Sequence, residues 1–175
     1  NLRLTEDGYW REKASIVGID PKLINVLVAY EDQRFWEHKG VDLKAVIRAS
    51  YDFVKSGRIV SGASTLTMQV AKLMDPSLKR RHPVVKMKQI LAALRLETHL
   101  TKEEILEAYF TLAPYGGNIE GIQAATEAWF QKSPEYLTLN EAALLVALPQ
   151  SPEVRRPDRH PAEAYKAKQM VLYRV

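Results

Sequence analysis

Helix-opening signals recur from one end of this chain to the other, and they constrain its fold more than any other feature. Asp20-Pro21 reads as an N-cap followed by proline in the first helical position, opening a helix across "KLINVLVAYEDQRFW". Asp42 is placed to cap "LKAVIRASYDFVKSG", where Leu43, Val46, Ile47, Ser50 and Val54 share one stripe and Gly57 marks the end. Ser64 is placed to cap "TLTMQVAKLM", which stops at Asp75-Pro76. Another helix is expected from about Val84 to Leu100. Thr101 with Glu104, and Thr138 with Glu141, form capping boxes for "KEEILEAYFTLA" and "LNEAALLVAL". "PYGGN" is a turn, "IEGIQAATEAWF" a helix, and the tail from Ala162 a last helix. Alternating strand patterns are nearly absent, so the expected fold class is mainly α.

The chain has 175 residues and 46% hydrophobic content, enough for one domain with a sizeable core and a smaller lobe. It has no cysteine, which excludes disulfides and thiolate metal sites. A formal charge of +4 and a pI near 9.2 favour anionic partners such as phosphate groups or an acidic membrane surface. No motif of a nucleic-acid module is present, so no nucleic acid partner is expected. No apolar run approaches the roughly 20 residues of a spanning helix. The chain opens on Asn1 rather than Met, and the expectation is an excised piece whose anchor lies elsewhere.

Three constellations carry possible chemistry. On one long helix, Ile24, Val28, Glu31 and Phe35 fall on a single face, which sets a carboxylate in an apolar stripe. Such a group suits general acid or base work. The competing reading is a helix-terminal Glu paired with Arg34 or His38, and helix position alone favours it. In the third helix Thr65, Gln69 and Lys72 share a face opposite Leu66, Val70 and Leu73. Ser64 and Thr65 add hydroxyls at its anion-friendly N-terminus; a capped amphipathic helix with a polar outside explains the same pattern. Lys79, Arg80, Arg81, Lys86 and Lys88 make a basic patch that suits a pyrophosphate or anionic headgroups, or else a solvated connector. His38, His82, His99 and His160 lack metal-ligand spacing, so no protein metal site is expected.

Together these segments resemble a known family. "EDQRFWEHKG" is similar to the first motif, Glu-Asp-x-x-Phe-x-x-His-x-Gly, of the peptidoglycan glycosyltransferases of class A penicillin-binding proteins. "GASTLTMQ" resembles their second motif, "ILEAYFTLAPYGGNIEGIQAA" a fourth block, and "NEAALLVALPQSP" a fifth. "LPQSP" followed by "RPDRHP" is most similar to the C-type branch.

The resemblance implies a lysozyme-like lobe with a smaller membrane-associated lobe at residues 41–60. It implies an inverting transferase that polymerises lipid II into β-1,4 glycan strands and releases undecaprenyl pyrophosphate. Glu31 matches the catalytic base. Asp32, Phe35, His38 and Gly40 match motif positions that shape the loop around it. Ser64, Thr65 and Gln69 match the donor cleft, and Lys72 and Lys86 are candidates for the leaving pyrophosphate. No tightly bound cofactor is implied beyond a divalent cation, Mg or Mn, on that pyrophosphate. The implied partners are lipid II, the growing glycan chain, a membrane surface and a moenomycin-type inhibitor. The implied location is the periplasmic face of a bacterial inner membrane, and a transpeptidase domain belongs to the longer protein.

The third motif departs from the common Arg-Lys-x-x-Glu. Here the positions are Val85, Lys86 and Gln89, an assigned substrate-binding position where the negative charge is gone. Glu97, about 12 Å along the helix, is a poor substitute. Thr111 stands where the family commonly has Asn. A weakly active or inactive lipid II- or glycan-binding module is therefore one alternative, and a lysozyme-like muramidase or lytic transglycosylase another.

Overall fold

A computed structural model describes residues 3–4, 8–56, 64–80 and 82–175. The chain divides into two compact units, Asn1–Glu31 with Leu106–Val175, and Asp32–Ile105.

In the first unit α1 (Pro21–Glu31), α6 (Ile122–Phe130), α7 (Leu139–Ala147) and α8 (Pro161–Arg174) surround one core. The element α7 packs against both α1 and α8. It is apolar nearly all round, with Ala142, Ala143, Leu145, Val146 and Ala147 buried, as a central helix requires. Leu23 and Leu27 of α1, Ile122 and Ala125 of α6, and Val171 of α8 fill the space about it. The expected capping box opens α7: Thr138 Oγ1 accepts from Glu141 N, and the Glu141 carboxylate accepts from Thr138 N at 2.7 Å.

A small sheet completes this unit, in the order β1 (Arg3–Leu4), β2 (Trp10–Arg11), β4 (Ile119–Glu120), β3 (Pro114–Gly116). It corrects the sequence reading of Ile119 and Glu120 as helical. The α6 helix starts at Ile122, after Gly121 at φ 81°, where a Cβ would come within 2.8 Å of the Thr111 carbonyl. That close approach ends the strand and starts the helix.

Asp20 does what Asp20-Pro21 suggested, and more. Its Oδ1 caps α1 through Lys22 N, and its Oδ2 accepts from Leu137 N, both at 2.9 Å. Burial alone would raise this carboxyl, but the Leu137 and Lys22 hydrogen bonds and the Lys22 charge outweigh it and hold its pKa below the ordinary value. A depressed carboxyl stabilises the fold above its unfolded pKa, near 3.9, and loses that contribution as pH falls through the lower folded value. Asp20→Asn is expected to cost about 2 kcal/mol at neutral pH. Thermal unfolding across pH should show the gap to wild type closing below about pH 4.

The second unit is built from α2 (Leu43–Ser56), α3 (Leu66–Met74), α4 (Pro83–Leu96) and the start of α5 (Lys102–Leu112). The helices α3 and α4 pack together, with Leu66, Met68, Val70, Ala71 and Ala93 buried. The expected capping box opens α5, Thr101 N to Glu104 Oε2 at 2.8 Å and Glu104 N to Thr101 Oγ1 at 3.2 Å. Asp42 caps α2 through Ala45 N at 2.8 Å. The expected end signal, Gly57, and the rest of the 41–60 segment beyond Ser56 lie outside the described residues.

Other helix boundaries also differ from the sequence reading, and α4, expected to run to about Leu100, ends at Leu96. The α1 helix was expected to run through Trp36 and stops at Glu31, so Phe35 does not share a helical stripe with Glu31. The helix α3 is capped by Thr65 rather than Ser64, because Thr65 Oγ1 is the group that accepts from Met68 N.

Candidate active site

Glu31 is the last residue of α1, half-buried. Its Oε1 accepts a hydrogen bond from Gln150 Nε2 at 2.5 Å. Behind it lies Tyr109, fully buried, whose phenol is pushed well above its ordinary pKa by burial first, then by Tyr115 and the charge of Glu31. Arg34 pairs with Asp42, and His38 with Asp32.

The residues after Glu31 form a scaffold within the second unit. Asp32 is buried, and its Oδ2 accepts from Leu66 N at 2.9 Å while both carboxylate oxygens lie 2.9 Å from His38 Nε2. The loop is thereby fastened to the N-terminus of α3, where a carboxylate is favoured by the helix dipole. Phe35 is wholly buried, edge-on to Trp36 and His38, with Lys102 Nζ 4.4 Å from its ring centre. The Gly40 carbonyl accepts from Thr65 Oγ1 at 2.6 Å. Asp32, Phe35, His38 and Gly40 are thus all engaged within this loop and its contact with α3. Thr65, assigned to a donor cleft, is buried and spends its hydroxyl on Gly40 and Met68.

Gly40 sits at φ 84°, and a Cβ there would stand 2.8 Å from the Ala93 carbonyl of α4. Both the left-handed backbone and the backbone clash oppose any side chain. Gly40→Ala should lower stability by at least about 2 kcal/mol, read as an earlier denaturant midpoint at unchanged slope.

Lys72 and Lys86 come together in this unit. Lys86 Nζ donates to Ser64 Oγ at 2.6 Å. Its pKa is held below 10.5, chiefly by burial and then by the charge of Lys72. Two ammonium groups in one half-buried patch repel each other, and an anion between them relieves that cost. Gln69, half-buried, lies one turn before Lys72 on α3.

Gln89 is placed differently from its assignment as a substrate-binding residue. It is buried, and its Nε2 donates to the Leu78 carbonyl at 2.6 Å, tying α4 to the short 3-10 turn Pro76–Lys79. A carboxylate could not make that bond, so the amide has a structural reason to stand there. Glu97 is likewise occupied, accepting from Thr67 Oγ1 at 2.7 Å and Lys102 Nζ at 2.6 Å. In the first unit Thr111 Oγ1 accepts from Ala14 N at 3.0 Å and donates to the Glu107 carbonyl at 2.6 Å. Val85 is half-buried on α4. Among the described residues no three His, Asp or Glu side chains cluster to hold a metal.

The sequence reading singled out neither Gln150 nor Tyr109, because each meets Glu31 only through the fold. The nearest signal was the "LPQSP" block itself, quoted for resemblance and given no role.

Known proteins resemble this chain in sequence and fold. A family profile described as Transglycosylase matches residues 2–175. Penicillin-binding protein 1C of Escherichia coli K12 is 46% identical over 172 residues, covering 97% of this chain and 22% of that protein. Penicillin-binding protein 1A of Aquifex aeolicus is 38% identical over 165 residues, covering 92% of this chain and 22% of that protein. The chain therefore spans 22% of the length of these two relatives. The crystal structure of Penicillin-Binding Protein 1A from Haemophilus influenzae shares the fold, with a TM-score of 0.53 at 19% identity over 95% of this chain and 15% of that one.

Proposed function

The chain belongs to the transglycosylase family, the peptidoglycan glycosyltransferase module of class A penicillin-binding proteins, and from that premise we propose that it polymerises lipid II into β-1,4 glycan strands. Glu31 takes the proton from the 4-hydroxyl of the incoming lipid II sugar. The oxygen attacks the anomeric carbon of the growing chain, and the bond from that carbon to the pyrophosphate oxygen breaks with inversion. Undecaprenyl pyrophosphate leaves with the electron pair, and Lys72 and Lys86 offset its charge. Ser64 and Gln69 belong to the same donor-binding set. A divalent cation, Mg or Mn, would accompany the leaving pyrophosphate and offset part of its charge.

The observation that carries the reading is the lysine pair. Burial and mutual repulsion make Lys86 a cation whose charged form gains from an anion, and a departing pyrophosphate is such an anion. A moenomycin-type phosphoglycolipid offers the same phosphate chemistry and is expected to compete.

Membrane contact fits the surface of α2 and α4. Leu43, Ile47 and Tyr51 are 69, 70 and 65% exposed, beside Lys44, Arg48 and Lys55. A groove of about 560 Å³ continues the pattern, with Val41, Leu43, Ile90 and Leu94 as apolar walls and Lys39 and Lys44 among its cations. Apolar side chains interleaved with cations suit an anionic bilayer on the outer face of the inner membrane. No described helix is long and apolar enough to cross a membrane.

Linkage analysis tests the reaction class. The product from labelled lipid II should be a ladder of chains wholly digested by a β-1,4-specific muramidase. Release of soluble fragments from purified cell wall, with no ladder from lipid II, would identify a lytic enzyme instead.

A further inference from the structure

The environment of Glu31 contains a second layer that neither the motifs nor the proposed chemistry uses. Gln150 ends the 3-10 turn Leu148–Gln150 that follows α7, and its side chain is exposed. An exposed glutamine ordinarily samples several rotamers and either amide orientation. Here Arg155 removes that freedom. Its Nη1 donates to Gln150 Oε1 at 2.9 Å and to the Ala147 carbonyl, the last of α7, at 2.7 Å. The guanidinium is therefore anchored on the helix end while it grips the amide oxygen.

The consequence is directional. With Oε1 held by Arg155, the Nε2 donors face Glu31. Flipping the amide would set oxygen against carboxylate and N–H against guanidinium, losing both bonds. Every link in this series, Ala147 to Arg155 to Gln150 to Glu31, lies in the first unit.

We propose that Gln150 is a positioning residue for Glu31, and that Arg155 sets the amide so that a hydrogen-bond donor always meets the carboxylate. The inference rests on the reading of Glu31 as the base. Gln150 holds the carboxylate in one rotamer, ready to accept the sugar proton, and Arg155 acts only through Gln150. Tyr109, whose phenol senses the charge of Glu31, stays neutral.

The test is a double-mutant cycle in the intact protein, with initial rates of glycan formation measured over a range of lipid II concentrations. Gln150→Met, which keeps length and removes the donor, should lower kcat roughly 10- to 100-fold with KM changed less than about threefold. Arg155→Met should lower kcat about 10-fold. The double variant should be no slower than Gln150→Met. If Arg155→Met costs enough stability to confuse the result, Arg155→Lys serves as the second arm. Wild-type kcat in Gln150→Met overturns the proposal, as does an Arg155 effect that persists at full size in the Gln150→Met background. Glu31→Gln run alongside separates the two claims: activity retained there removes the base assignment. Activity lost there, with Gln150→Met unaffected, removes the positioning role alone.

Discussion

Glu31→Gln is expected to abolish polymerisation of lipid II, lowering kcat by about 10³-fold while leaving the fold and lipid II binding in place. The substitution preserves size and the capacity to accept a hydrogen bond, but an amide oxygen does not take a proton at neutral pH. Removal of a positioned general base costs roughly 10²–10⁴ in rate, on the order of 3–5 kcal/mol of barrier. The loss should be catalytic, because the substituted amide oxygen still accepts the Gln150 hydrogen bond that Glu31 accepts in the wild type. Circular dichroism and thermal unfolding close to wild type, with labelled lipid II left unreacted, would be the expected pair of results. A large fall in melting temperature would instead mark Glu31 as structural.

Lys86→Met should be the next most damaging change, lowering kcat roughly 10²-fold, the scale of losing one preorganised donor to a developing anion. Lys86 is poised for that task because burial and Lys72 both press its pKa down, and it donates a hydrogen bond to the neutral Ser64 hydroxyl. The sign of the pH effect follows. A lysine with a lowered pKa loses its charge earlier as pH rises, so inhibition by inorganic pyrophosphate should weaken on the alkaline side before 10.5 is reached. Lys72→Met removes the repulsion, and the alkaline fall should then move to higher pH although one cation has gone. An inhibition profile unmoved by Lys72→Met would separate the two lysines.

Local chemistry explains which parts of this protein could be read without coordinates. The Asp42 cap and the boxes at Thr101 and Thr138 bond within three residues of themselves, so their outcome is written in adjacent letters. The end of α1 was hidden because the helical period continues through Phe35. What diverts the chain is Asp32 bonding to Leu66 N, a partner 34 residues away. The Ser64 and Thr65 ambiguity has the same origin: two adjacent hydroxyls are equal candidates for the cap, and Gly40 decides between them by accepting from Thr65.

The site divides along the same line. Residue types at motif spacing pointed to Glu31 and to the lysines. Gln89 was read as a substrate contact because its position in the motif was visible, whereas its bond to the Leu78 carbonyl was not. The amide at that position has a packing partner in the Pro76–Lys79 turn. Gln150 and Arg155 escaped notice because the proline-rich segment after α7 has no periodicity from which a side-chain direction follows.

The most direct measurement is the product of labelled lipid II with wild-type protein and Glu31→Gln in parallel, in detergent with a divalent cation present. The account predicts a ladder of muramidase-sensitive glycan chains from wild type and only unreacted lipid II from Glu31→Gln. Unreacted lipid II with wild type, or the same ladder from both proteins, would contradict it.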